Sequence, residues 1–212
     1  MQEFVEIPAN KKSIAKRQLV CDKGINDALY NINYKHENTI IRCSYYTVWK
    51  SMLNRCYNPI YHKKQPTYKN CSVCSEWLLF SNFRLWMETQ DWKGKVLDKD
   101  ILIKGNKEYC SEKCIFVSSD INNLLLDSKA SRGNFKIGVS WYAPYSKYRS
   151  RCNIKGYGKH LGYYDTEQEA YSIYCIYKAR LIEDLAENQL STRLKNALIL
   201  RAKSLTDIFE EE

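Results

Sequence analysis

Between residues 128 and 160 the chain has no acidic residue, although those 33 positions carry eight cations: Lys129, Arg132, Lys136, Lys147, Arg149, Arg151, Lys155 and Lys159. That absence argues against an ordinary solvated face of mixed charge. It points to a polyanionic partner, because each phosphate neutralised on a duplex releases condensed counterions. Other absences narrow the class further. The first ten residues hold no apolar run of the kind that directs secretion. No uninterrupted apolar stretch approaches membrane-spanning length, so no membrane role is expected. The nine cysteines are odd in number and scattered without framework spacing, which excludes a disulfide scaffold and predicts a reducing cytosol. There is neither an internal repeat nor a low-complexity segment. What is present is 212 residues with 44% hydrophobic content, enough for one or two small domains with real cores. The net charge of +9 and a pI near 9.0 again favour a polyanion.

Within the basic run the order of residues predicts three short strands. Residues 137–141 (Ile-Gly-Val-Ser-Trp) and 147–154 (Lys-Tyr-Arg-Ser-Arg-Cys-Asn-Ile) alternate, 156–158 (Gly-Tyr-Gly) is a turn, and 159–164 forms the third strand. Asp165 or Thr166 then caps a helix whose first turn carries Glu167 and Glu169. Ala170, Ile173, Tyr174, Tyr177, Leu181 and Leu185 give this helix an apolar stripe. A sheet packed on one helix leaves its other face free. On that face the sequence puts Trp141, Tyr148, Arg149, Arg151, Lys155 and His160, with Arg132, Lys147 and Lys159 as further DNA contacts.

The motifs Gly-Val-Ser-Trp at 138–141, Tyr-Arg-Ser-Arg at 148–151 and Gly-Lys-His-Leu-Gly-Tyr-Tyr-Asp-Thr-Glu-Gln-Glu-Ala-Tyr at 158–171, with Tyr174 and Ala179, resemble the small DNA-binding domain of plant ethylene-response factors. Relatives of that domain accompany many bacteriophage nucleases. The resemblance covers residues 133–186 and implies strand residues in the major groove, with the helix bracing the sheet.

The middle of the chain holds the candidate chemistry. Residues 45–57 place Tyr45, Val48, Trp49, Met52, Leu53 and Cys56 at helical spacing, a core face. Pro66 breaks the next stretch, and a second helix is predicted over 75–86. A strand over 96–103, a turn at Lys104-Gly105-Asn106, a strand over 109–117 and a helix over 118–126 follow.

This order resembles the ββα-metal fold of HNH endonucleases, in particular a phage branch. The shared motifs are Leu-Asp-Lys-Asp at 97–100, Gly-Asn at 105–106 and Tyr-Cys-Ser-Glu-Lys-Cys at 109–114. Upstream, Trp-x-x-Met-x-x-Arg-Cys-Tyr at 49–57 and Val-Cys-x-Glu-Trp-x-x-Phe-x-x-Phe at 73–83 also match. The resemblance implies that Asp98 and Asn122 hold one divalent cation, with Asp100 or Asn123 behind them. Carboxylate and amide oxygens suit Mg²⁺ or Mn²⁺. The usual general-base histidine after the first Asp is replaced here by Lys99. A lysine serves as base only if its pKa falls by about 3 units. We therefore expect Lys99 to clamp the phosphate, and His62 or Tyr68 to take the proton.

Cys71 and Cys74 with Cys110 and Cys114 have near-knuckle spacing for a structural Zn²⁺, a site some HNH enzymes carry, although free cysteine is also a common core residue. His160 fits a nucleic-acid contact or packing equally, and His36 reads as a turn residue.

The expected architecture is α+β: an N-terminal extension (1–40), an HNH-like ββα-metal module (41–127) and a linker (128–134). A small three-stranded antiparallel sheet packed on one helix (135–190) and a C-terminal helix or tail (191–212) complete it. The expected function is cleavage or nicking of double-stranded DNA. The alternatives are a non-catalytic DNA-binding regulator with a degenerate nuclease module and, more weakly, a phage inhibitor of a host defence protein.

Overall fold

Residues 3–126, 134–154 and 156–207 are described by a computed structural model. The chain is mixed α+β and divides into two compact units, residues 1–116 and 117–212. That boundary precedes the linker expected at 128–134, most of which lies outside the described residues. No helix among the described residues is long and apolar enough to cross a membrane.

The first unit is centred on α2 (Ser44–Tyr57), which buries Trp49, Met52, Leu53 and Cys56 as its apolar spacing predicts. The Trp49 indole N–H, fully enclosed, donates to the Trp77 carbonyl at 2.7 Å, so the largest core side chain has no orphaned donor. Ahead of α2 come α1 (Lys11–Ala15) and a hairpin of β1 (Asn33–His36) and β2 (Thr39–Arg42), whose turn holds Glu37 at φ 51°. After it come α3 (Pro59–Lys64), capped by the Asn58 side chain, and β3 (Ser72–Val73). The helix expected over 75–86 is interrupted. A 3₁₀ turn (Glu76–Leu78) leads to extended Leu79, and α4 (Phe80–Glu88) starts afresh.

The cause of the interruption is long-range. Ile25 N–H donates to Leu78 O at 2.8 Å and Phe80 N–H donates to Ile25 O at 3.0 Å, which pulls the chain straight at Leu79. Asp27 Oδ1 then accepts from Ser81 N at 2.9 Å, supplying the cap that Leu79 cannot. Ala28 and Tyr30 belong to the same core as Trp49, so residues expected to form an extension are built into this unit.

The strands expected over 96–103 and 109–117 are also shorter. They appear as β4 (Val96–Asp98), β5 (Glu108–Tyr109) and β6 (Ile115–Val117), with β4 paired to β6 and β5 parallel to β3.

The second unit begins with α5 (Ser119–Leu125), capped by Ser118. An antiparallel sheet of β7 (Val139–Tyr142), β8 (Lys147–Ile154) and β9 (Tyr157–Tyr164) follows, in the order β7-β8-β9. Thr166 and Glu169 close a reciprocal capping box at the start of α6 (Glu167–Glu187), and Ser191 caps α7 (Thr192–Thr206). Cys152, Tyr174 and Cys175 are buried together, with Ile137, Leu161, Tyr171, Tyr177, Leu181 and Leu205 packed around them. Helix α6 packs on both the sheet and α7, so its buried residues, Ile182 and Ala186 included, spread wider than the single predicted stripe.

Candidate nucleic-acid interface and candidate metal centre

The sheet exposes one face, and its register decides which predicted contacts lie there. Arg149 stands opposite Ser140 and Tyr163, and Arg151 opposite His160. Residues two apart on β8 share a side, so Arg149 and Arg151 face outward while Ser150 and Cys152 are buried. A bulge inserts Leu161 between the pairs Ser150–Gly162 and Arg151–His160. This brings His160 and Tyr163, three residues apart, onto one face with ring centroids 4.6 Å apart. Tyr163 also meets Tyr142 at 5.0 Å and Tyr145 at 4.8 Å, and the Arg149 guanidinium lies 5.5 Å over the Tyr142 ring. Among the described residues no carboxylate pairs with Arg149 or Arg151. Lys147 does pair, with Asp165 at 3.0 Å.

Three expected contacts are on the other side. Trp141 is opposite Tyr148, and the two rings meet at 5.0 Å. Tyr148 has the parity of buried Cys152, and Lys159 is opposite Cys152. Trp141, Tyr148 and Lys159 thus belong to the helix-facing side of the sheet, Trp141 and Lys159 being exposed at its margin. Lys155 and Arg132 lie outside the described residues. The tyrosines of the exposed face, Tyr142, Tyr145 and Tyr163, are not among the contacts expected from the sequence. Strict alternation from His160 sends Tyr163 inward, and only the bulge reverses it.

In the first unit the Asp98 loop is held by its own hydrogen bonds. Asp98 Oδ1 accepts from Asp100 N at 2.6 Å and Ile101 N at 2.7 Å, which turns the chain and ends β4. Asp98 Oδ2 has no hydrogen bond among the described residues. Burial raises the Asp98 pKa; the two N–H donors oppose this, the Asp100 charge adds to it and Lys99 counters it. Lys99 is only 5% exposed. Its Nζ donates to Asp100 Oδ1 at 2.5 Å and Asn106 O at 2.8 Å, and it lies 5.8 Å from the centre of the Tyr68 ring. Asn106 Nδ2 returns hydrogen bonds to Lys99 O and Glu108 O at 2.8 and 2.7 Å. The expected phosphate clamp is therefore turned inward, where it fastens the 99–107 loop.

His62 Nε2 is 2.9 Å from the Arg55 carbonyl oxygen. A carbonyl only accepts, so Nε2 carries the hydrogen and Nδ1 is the acceptor of the neutral ring. Burial pushes the pKa of the Tyr68 hydroxyl up, so it keeps its proton near neutral pH and has no free phenolate to act as base. Arg55, not singled out as a site residue although it lies in the 49–57 motif, reaches the Leu97 carbonyl beside Asp98 at 3.3 Å. Tyr61 packs on Tyr68 at 5.8 Å and borders a cleft of about 530 Å³ that also takes in Arg42, Lys50, Asn54 and Asn58.

No protein-family model, curated protein or solved structure matches the chain. Its chemistry is read from its own residues. Among those described, no three or more His, Cys, Asp or Glu side chains converge to hold a metal ion. The four candidate zinc thiols are free and raised in pKa by burial, Cys74 to about 11. Cys74, Cys110 and Cys114 influence one another electrostatically, whereas Cys71 is near Cys56 and Lys99. Asn122 lies on α5 in the second unit and Asp98 in the first.

Proposed function

We propose that this protein binds duplex DNA through the exposed face of β7–β9 and cleaves or nicks it at the Asp98 loop, as a phage-type HNH endonuclease with an ethylene-response-factor-type DNA-binding module. The observation that carries the reading is the pair Arg149 and Arg151, side by side with His160 on a face whose arginines meet no carboxylate among the described residues. Desolvating an arginine fork is favourable against phosphate or guanine edges, and an ordinary solvated face has no need of such a cluster.

The order β4, β6, α5 supports the nuclease part, as does an aspartate with one oxygen left over. Such an oxygen fits a hard cation that keeps most of its waters. Mg²⁺ or Mn²⁺ at Asp98 would acidify a bound water and neutralise charge on the scissile phosphate. Asn122 enters as a further ligand from the sequence resemblance. Asp98 Oδ2 would hold the cation, and Lys99, Asp100 and Asn106 would keep the loop in shape. His62, oriented through Nε2 by the Arg55 carbonyl, would accept a proton at Nδ1.

Supercoiled plasmid incubated with the protein should be relaxed or linearised with Mg²⁺ or Mn²⁺ and left intact with chelator. A second reading, a DNA-binding regulator without catalysis, is favoured by the burial of Lys99, whose ammonium is turned to Asp100 and Asn106. Plasmid that stays supercoiled under every divalent cation while mobility-shift binding persists would establish that reading instead.

A further inference from the structure

Strand β8 outruns β7. Their pairing ends at Val139–Ser150, with Arg151 N donating to Gly138 O at 2.8 Å, and beyond it one edge of residues 152–154 has no strand beside it among the described residues. At that edge a cavity of about 350 Å³ opens between β8, α6 and α5, lined by Arg151, Asn153, Ser140, Asn123, Tyr174 and Lys178 among others. Its lining includes two cations and no acid. Lys178 is the unusual member, because it is only 9% exposed. Among the described residues its ammonium has no carboxylate and no hydrogen-bond acceptor; the Tyr174 ring lies at 5.8 Å and the buried Cys152 thiol is near enough to interact with it electrostatically. A largely buried lysine without a carboxylate partner is costly, and Ala179, next to it on α6, shows that a small apolar residue is compatible with a buried position on this helix. The volume is on the order of ten waters, so it admits a tetrahedral oxyanion with part of its hydration.

The geometry points to a phosphate-binding site at the open edge of the sheet, with Lys178 and Arg151 supplying charge and Asn153, Asn123 and Ser140 supplying hydrogen bonds. Arg151 belongs both to this cavity and to the exposed sheet face. A nucleic-acid strand crossing that face could therefore lower one backbone phosphate over the edge, a source that rests on the DNA-binding reading above. A terminal or free phosphate would satisfy the same groups.

The test uses the full chain, with Lys178→Met removing the charge at similar volume and Asn153→Asp placing an acid in the cavity. Thermal unfolding is followed in phosphate and in chloride at equal ionic strength. Wild type should melt higher in phosphate, and both variants should lose that shift. Lys178→Met should fold at least as well as wild type in chloride, since it discards a buried charge. The salt dependence of duplex binding separates the sources. A slope lower by about 0.9 in Lys178→Met identifies a backbone phosphate. An unchanged slope, with the phosphate shift lost, supports the site with a terminal or free phosphate as its ligand. The site is overturned if wild type melts alike in the two anions, or if Lys178→Met keeps the full shift. A wild type that fails to bind duplex at all would refute the DNA reading and leave the unfolding comparison to decide the site.

Discussion

Asp98 uses one carboxylate oxygen to turn its own loop and has the other to spare, so two substitutions separate those roles. Asp98→Asn keeps an acceptor for the Asp100 and Ile101 amides, whereas Asp98→Ala abandons both and should cost about 1–3 kcal/mol. The raised pKa sets the pH dependence. Folded Asp98 holds its proton more tightly than the unfolded chain, so stability is lost as the pH rises from the ordinary value through the folded one and the loss is complete above it. Asp98→Asn should therefore melt higher than wild type near neutral pH. The gap should close as the pH falls towards the ordinary value of 3.8, as melting curves across that range would show. Lys99→Met removes the donor that the Asn106 carbonyl accepts from and should cost about 1–3 kcal/mol by chemical denaturation. An exposed phosphate clamp would predict almost no loss. Ser150 makes the opposite case, because its fully buried hydroxyl has no hydrogen-bond partner among the described residues. Ser150→Ala should be neutral or stabilising by up to about 1 kcal/mol in the same assay.

At the scale of elements, helix starts are largely legible in the sequence because caps are local. Ser118, Thr166 and Ser191 each stand within three residues of the amide they serve. Thr166→Ala breaks the capping box and should destabilise by about 1 kcal/mol, read as an earlier denaturation midpoint. The second strand of the sheet, predicted and found over 147–154, is equally local in its alternation. The start of α4 is not. It depends on Ile25, far earlier in the chain, and no window around Leu79 contains that information. The loop after Asp98 reads as strand for a related reason. Leu97, Ile101 and Ile103 have β-like spacing, but an Asx turn and the Lys99–Asn106 staple override it.

For the whole molecule, binding and cleavage should separate by residue. Arg149→Ala with Arg151→Ala should weaken duplex affinity and lower the salt slope by about 0.9 for each phosphate left unneutralised, measured by titration at two salt concentrations. Asp98→Ala and Asn122→Ala should instead abolish plasmid cleavage and leave affinity nearly unchanged. The wild-type net charge of +9 leaves each of these variants strongly basic, so the slope is more diagnostic than affinity at one salt concentration.

What the sequence alone determined was everything carried by near neighbours: the apolar spacing of α2, the caps, the three strands, and an acid-free run that concentrates cations around β8. Only the tertiary structure decided which of those cations face outward. The Leu161 bulge turns Tyr163 to the side of Arg149 and His160, and register carries Trp141, Tyr148 and Lys159 to the side of Cys152. Lys99 is drawn inward by an acceptor seven residues away, and Lys178 is buried by a sheet edge whose strands begin elsewhere in the chain. A side chain's chemistry is written in its own position, but its direction is set by the partners that long-range pairing brings to it.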